Sequence, residues 1–396
     1  MHELKEMILT GADKLAGKVI AYRRYFHMHP ELSFKEENTS AYIIAELEKL
    51  GIQCRSKIAG TGIIGIIKGK MAGGKTIALR AEMDALPVVE LNQVEYASRV
   101  KGVMHACGHD AHMAMLLGTA SLLKDLEEYF NGTILLLFQP GEELSPGGAR
   151  LMIESGALDE YNLSAVIAHH VLPELETGKV GYRAGTYMAS SDEIYITLKG
   201  KGGHAALKHQ LTDQIYIASK LLCTITEKTE DLKKLRDIPT VLSFGRIIAE
   251  GATNVIPETV NIAGTLRTFD EGWRAELKSL LGDCCRQIAG EYGVEVALRI
   301  ADGYPVLRND EELTARAVEL STSLLGRERI EMFGIRMSSE DFSFFTEKYK
   351  ALYYRVGIKG RNKDPRMLHS PGFDLEEEGL ATGVANLTWL AVNLTK

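Results

Sequence analysis

Cysteine is scarce: five in 396 residues, with Cys284 and Cys285 adjacent. An odd, sparse set of this kind does not make a disulfide framework, and it points to a reducing cytoplasm. Excess positive charge is missing too. Lys and Arg total 46 against 53 Asp and Glu, a net charge of -7. With no basic cluster, the electrostatic footprint of a nucleic-acid binder is excluded. Long apolar runs are absent as well, and nothing approaches the roughly 20 residues of a membrane span. The opening stretch MHELKEMILTGADKLAGKVIAYRRYF reads as an amphipathic, charge-studded helix without the apolar centre and cleavage site of a signal peptide. Repeats and low-complexity tracts are lacking.

What remains is the balance of a globular protein, 45% apolar and 25% charged. A chain of this length exceeds one ordinary core, so two domains are expected. Up to about residue 187, short β-branched runs bounded by Gly or Pro alternate with helical stretches. TGIIGIIKG, KTIALRAEMD, NGTILLLFQPG and LSAVIAHHV read as buried strands, and AHMAMLLGTASLLKDLEEYF and PGGARLMIESGAL as helices. This is an α/β layer with helices over a mixed, mostly parallel sheet. From 188 to 300 the order becomes β-α-β-β-α-β, the ferredoxin-like α+β pattern, and reads as an inserted second domain. Residues 301–396 resume the first domain. Cys284 and Cys285 fall mid-helix in WRAELKSLLGDCCRQIAGEYG and read as buried helix surface.

GKMAGGKT, Gly69 to Thr76, matches the phosphate-loop pattern letter for letter. That loop works only where a helix follows it. TIALRAEMDALP is instead another strand, so the segment reads as a glycine-rich turn between neighbouring strands, and nucleotide binding is rejected.

Ligands in α/β sheets collect at the carboxyl ends of strands. Glu82 and Asp84 end one strand, Glu142 and Glu143 another, and His169 and His170 a third. HACGHDAH, with His105, Cys107, His109, Asp110 and His112, lies just before a helix. SSEDFSFF brings Glu340 and Asp341, and MLHSPGFD brings His369. Each cluster has a plain alternative. Glu142 and Glu143 suit a helix N-terminus, His369 suits a loop, and His27 and His29 suit structural roles. A thiol nucleophile would use Cys107 and a histidine but leave the carboxylates and remaining imidazoles idle. A metal site uses them all, and adjacent glutamates let one ligate while the other serves as base.

HACGHDAH, QPGEE, AHHVLPELETGKVGYRAG, GKGGHAA, EGATNVIPETVNIAGTLRTF, SSEDFSFF and LHSPGFD occur in the order found in amidohydrolases. The chain resembles the hippurate hydrolase and indoleacetic acid-amino acid hydrolase family, within the aminoacylase and carboxypeptidase G superfamily. The resemblance implies a zinc-exopeptidase-like catalytic domain, 1–187 and 301–396, with a lid and dimerisation domain at 188–300. It implies two divalent ions per subunit (zinc, manganese, cobalt or nickel) held by Cys107, His109, Glu143, His170 and His369. Glu142 is then the general base and Asp84 orients a ligand. His204 steadies the oxyanion from a partner subunit, and Asn254 and Arg267 face the substrate's carboxylate end. The implied substrate is an N-acyl amino acid, with a dipeptidase or carboxypeptidase as the alternative. Glu82 departs from the family's usual aspartate. Asp110 is expected to orient a ligand, and His105 and His112 to be structural.

Overall fold

The computed structural model describes residues 2–360 and 366–396; Met1 and residues 361–365, inside the range assigned to the first domain, lie outside it. Chain contacts divide the protein into two compact units: 1–185 with 308–334 and 341–396, and 186–307 with 335–340. The second unit is wider than 188–300 because the Ala189 amide donates to the Arg336 and Ser338 carbonyls, drawing in a segment read as part of the first domain.

The first unit is built on an eight-stranded sheet. Its order is Gln53–Ile58, Gly62–Lys68, Asn131–Gln139, Met71–Glu82, Leu163–Glu176, Ala351–Lys359, Val180–Tyr182 and Ile330–Met332. The four central strands run parallel, and antiparallel pairing enters on either side of them. Ile134 to Phe138 and Val166 to Ala168 are fully buried, as central strands covered on both faces require. The Gly62–Lys68 and Met71–Glu82 strands are not neighbours, because Asn131–Gln139 lies between them. The glycine-rich segment therefore makes a crossing rather than the expected turn between adjacent strands, and Lys75 lies within a strand.

The helix His109–Asp125 is buried along nearly its whole length, consistent with its lack of a polar face. It packs against His2–Met28 and Gly379–Leu394. His169 and His170 do not end their strand, since pairing with Ala351–Lys359 continues to Glu176. Glu82 and Gln139 do end theirs, and the chain leaving them starts the site loops.

The second unit has a four-stranded antiparallel sheet in the order Thr240–Ile248, Thr259–Thr268, Asp192–Lys199, Glu295–Asp302. The helices Gln214–Lys233 and Glu271–Tyr292 pack on it around Trp273, Leu221 and Leu277. Its β-α-β-β-α-β chain order is the ferredoxin-like arrangement. Cys284 and Cys285 are buried in this core, and burial pushes the Cys285 thiol up to about 11. Among the described residues no helix is long and apolar enough to cross a membrane.

Candidate metal centre

The site grows from a carboxylate that is fully enclosed. Asp84 lies two residues past the end of the strand Met71–Glu82. Its Oδ2 accepts from Ser33 Oγ at 2.7 Å and from the Glu143 amide at 2.9 Å. Its backbone oxygen accepts from His109 Nδ1 at 2.8 Å. That bond fixes the His109 tautomer and leaves Nε2 to face inward. His109 Nε2 is buried, has no hydrogen-bond partner, and lies 4.0 Å from Glu142 Oε2.

Gly108 turns the loop into the helix with φ of 86°, and a Cβ there would stand 2.4 Å from Val171 Cγ2. Only glycine allows this close approach to the strand carrying His170. Cys107 Sγ consequently sits 3.4 Å from His170 Nε2 and 3.3 Å from His369 Nε2. His369 Nε2 is 3.2 Å from Glu143 Oε1. Consecutive strand residues face opposite ways. His170 therefore joins this cluster, while the His169 ring packs against Tyr354 at 6.0 Å.

Glu142 and Glu143 are aimed by the turn before them. The Gly141 amide donates to Glu36 Oε1 at 2.8 Å, and φ of 56° there leaves room for the Phe34 ring, which a Cβ would meet at 2.4 Å. Glu36 also accepts from the Phe34 amide at 2.9 Å and from Thr61 Oγ at 2.7 Å. Glu36, Ser33 and Thr61 were not singled out from the sequence.

Four overlapping groups of the first unit bring their ligand atoms within 4.8 Å of one another: Cys107, His109 and His170; Cys107, Glu143 and His369; His109, Glu142 and Glu143; and Glu82, His109 and His112. Thiolate, imidazole and carboxylate together suit a divalent ion of borderline softness, and the orphaned His109 Nε2 supplies a waiting donor. Burial alone would lower the His109 imidazole, but its bond to Asp84 and the charges of Glu82, Asp84 and Glu143 raise it to about 10. The surroundings thus favour a cation. Burial would raise the Asp84 carboxyl, but the bonds from His109, Ser33 and the Glu143 amide hold it below the ordinary value. Burial, with the neighbouring His112 ring and the charge of Arg355 adding to it, pushes His170 well down, so it stays neutral as a ligand requires.

Other residues stand elsewhere. Asp110 does not orient a ligand: its Oδ2 accepts from Arg23 Nε at 2.9 Å and His27 Nδ1 at 2.8 Å. The buried Arg23 also reaches Asp374 at 2.8 Å, which ties the HACGHDAH loop to the loop after His369. His29 bonds the Tyr25 carbonyl at 2.8 Å. His105 is buried, and burial pushes it down to about 3. Asp341 lies 2.6 Å from Arg80 and accepts from the Ala149 amide at 2.9 Å. Glu82 is taken by Arg80 and His112. In the second unit, His204 is exposed and pairs in register with Val255, beside Asn254. Arg267 donates to the Met337 carbonyl at 3.0 Å.

Residues 78–393 match the family model described as peptidase family M20/M25/M40. The chain is 40% identical over 308 residues to an N-acyl-L-amino acid amidohydrolase of Geobacillus stearothermophilus, covering 78% of this chain and 82% of that one. It is 35% identical over 402 residues to thermostable carboxypeptidase 2 of Saccharolobus solfataricus, covering 99% of each. Among solved structures it is similar to the YXEP protein of Bacillus subtilis, a dinuclear metal binding peptidase of the M20 family. The TM-score is 0.83 at 32% identity, covering 97% of this chain and 99% of that one. The chain belongs to peptidase family M20/M25/M40 and is a metal-dependent hydrolase of amide bonds.

Proposed function

We propose that the protein hydrolyses the amide bond of N-acyl amino acids, releasing a carboxylic acid and a free amino acid. The supporting observation is the clustering of Cys107, His109, Glu143, His170 and His369 in overlapping groups of ligand atoms, with Glu142 in one of them. These five residues would hold two divalent ions. When bound, the ions supply positive charge to an amide oxygen and lower the pKa of the attacking water. Glu142 removes a proton from that water and returns it to the leaving amine, which must be protonated to depart. Cys107 contributes a thiolate's charge rather than a nucleophile. Asp84 keeps His109 in the tautomer that presents Nε2. In the second unit, His204 is assigned to the tetrahedral oxyanion, and Asn254 and Arg267 to the substrate's carboxylate. A homodimer through this unit, with His204 serving the partner's site, is part of the same proposal.

Carboxypeptidase action is the second reading, favoured by the similarity to thermostable carboxypeptidase 2 across 99% of the chain. A panel of N-acetyl, N-benzoyl and indoleacetyl amino acids, run beside dipeptides on zinc- or manganese-loaded protein, separates the two. Turnover confined to substrates with a free amine would overturn the first.

Glu142→Gln tests the base. Turnover is expected to fall about 10²- to 10⁴-fold with bound metal unchanged by elemental analysis. A near-normal rate with metal retained would remove Glu142 from the role. Cys107→Ser is expected to lose metal together with rate, and loss of rate alone would revive a nucleophilic cysteine.

A further inference from the structure

Val171 carries an inert side chain, yet both of its backbone polar groups are taken by histidines. Its amide donates to His112 Nε2 at 3.0 Å, and its carbonyl accepts from His170 Nδ1 at 2.7 Å. The strand exposes them because its pairing with Met71–Glu82 ends at Ala168. A buried amide left there without a partner would carry its full desolvation cost.

These contacts dictate protons. The Val171 amide is a donor, so His112 Nε2 accepts and its proton sits on Nδ1. That Nδ1 donates to Glu82 Oε2 at 2.8 Å, and Glu82 is anchored in turn by the buried Arg80 guanidinium. On the other side, the Val171 carbonyl requires the proton of His170 on Nδ1. His170 is left with its lone pair on Nε2, directed toward Cys107 Sγ at 3.4 Å. The two rings meet edge to face, with centroids 4.5 Å apart. His112, which the sequence marks as structural, is thus connected to the site through the backbone of one residue, Val171.

We propose that His112 is a positioning residue that sets the orientation and tautomer of His170, with Glu82 holding His112 in the form that can do so. The proposal rests on the metal reading for its consequence, though not for its geometry. Glu82 also stands close to His109, with their ligand atoms within 4.8 Å, but its carboxylate oxygens are taken by Arg80 and His112.

The test uses the full chain labelled with ¹⁵N-histidine, first metal-free and then titrated with zinc(II). In the metal-free wild type, His112 and His170 are each expected to show one tautomer, protonated at Nδ1. His112→Phe is expected to leave His170 as a tautomer mixture and to weaken zinc binding about 10- to 100-fold. His112→Gln, whose amide oxygen can accept from Val171, is expected to restore both. A His170 that keeps its tautomer and its zinc affinity in His112→Phe overturns the proposal, as does equal loss in His112→Gln. If His112→Phe does not fold, His112→Asn, whose shorter amide stops short of Val171, takes its place with the same expectations. Failure of the metal reading is separable: the wild type would then bind no zinc, while the metal-free spectra would still decide the role of His112.

Discussion

Glu36 is a buried carboxylate that no ion pair neutralises among the described contacts; it is held by two backbone amides and a hydroxyl. Glu36→Ala would strand the Phe34 and Gly141 amides, at about 1–3 kcal/mol for each. It would also release the turn that aims Glu142. Urea unfolding is expected to show that loss, and kcat is expected to fall more than KM rises. Glu36→Gln keeps an acceptor oxygen and is expected to lie between Ala and wild type. Unchanged kcat in a destabilised Glu36→Ala would confine the residue to folding. The residues of HACGHDAH show what was legible at this scale. Cys107 and His109 stand out because their chemistry is scarce in the sequence. The partner of Asp110 did not, because Arg23 lies 87 residues away and reaches it only through packing.

Among elements, the helix Glu271–Tyr292 and the strand Asp192–Lys199 are joined by an ion pair that is nearly closed to water. Arg274 grips Asp192 through Nε and Nη2 at 2.7 and 2.8 Å, and Lys278 adds a contact at 2.8 Å. Burial would raise the Asp192 carboxyl, but these cations hold it below 3.8. A depressed carboxylate stabilises the folded state above its unfolded pKa, and that contribution disappears as pH falls below about 3.8 through the folded value. Asp192→Asn is therefore expected to cost about 3–5 kcal/mol at neutral pH, because it leaves Arg274 buried beside a neutral partner. The difference from wild type should shrink as thermal melts are carried below pH 3.8. A gap independent of pH would remove ionisation as its cause. Strand and helix order were readable because buried parallel strands and helices differ in length, branching and punctuation. The order of strands in the sheet was not. Gly62–Lys68 and Met71–Glu82 are adjacent in sequence but separated in space by Asn131–Gln139.

For the whole molecule, metal binding and folding are linked. An ion that binds the folded chain at a hundred times its dissociation constant adds about 2.7 kcal/mol per site. Prolonged chelation is expected to lower the melting temperature, and zinc(II) to restore it in a concentration-dependent way, with Cys107→Ser much less responsive. A melting temperature indifferent to both would overturn the metal reading. By itself the sequence determined the class of chemistry, since thiol, imidazole and paired carboxylates at strand ends and loops fit few other uses. It also determined an α/β layer followed by a ferredoxin-like segment, because side-chain periodicity is local. Only the tertiary structure decided which of His169 and His170 faces Cys107, what Glu82, Asp110 and His112 hold, and that Glu36 braces Gly141. Those assignments depend on which backbone groups the sheet leaves unpaired and on side chains that meet across tens to hundreds of residues.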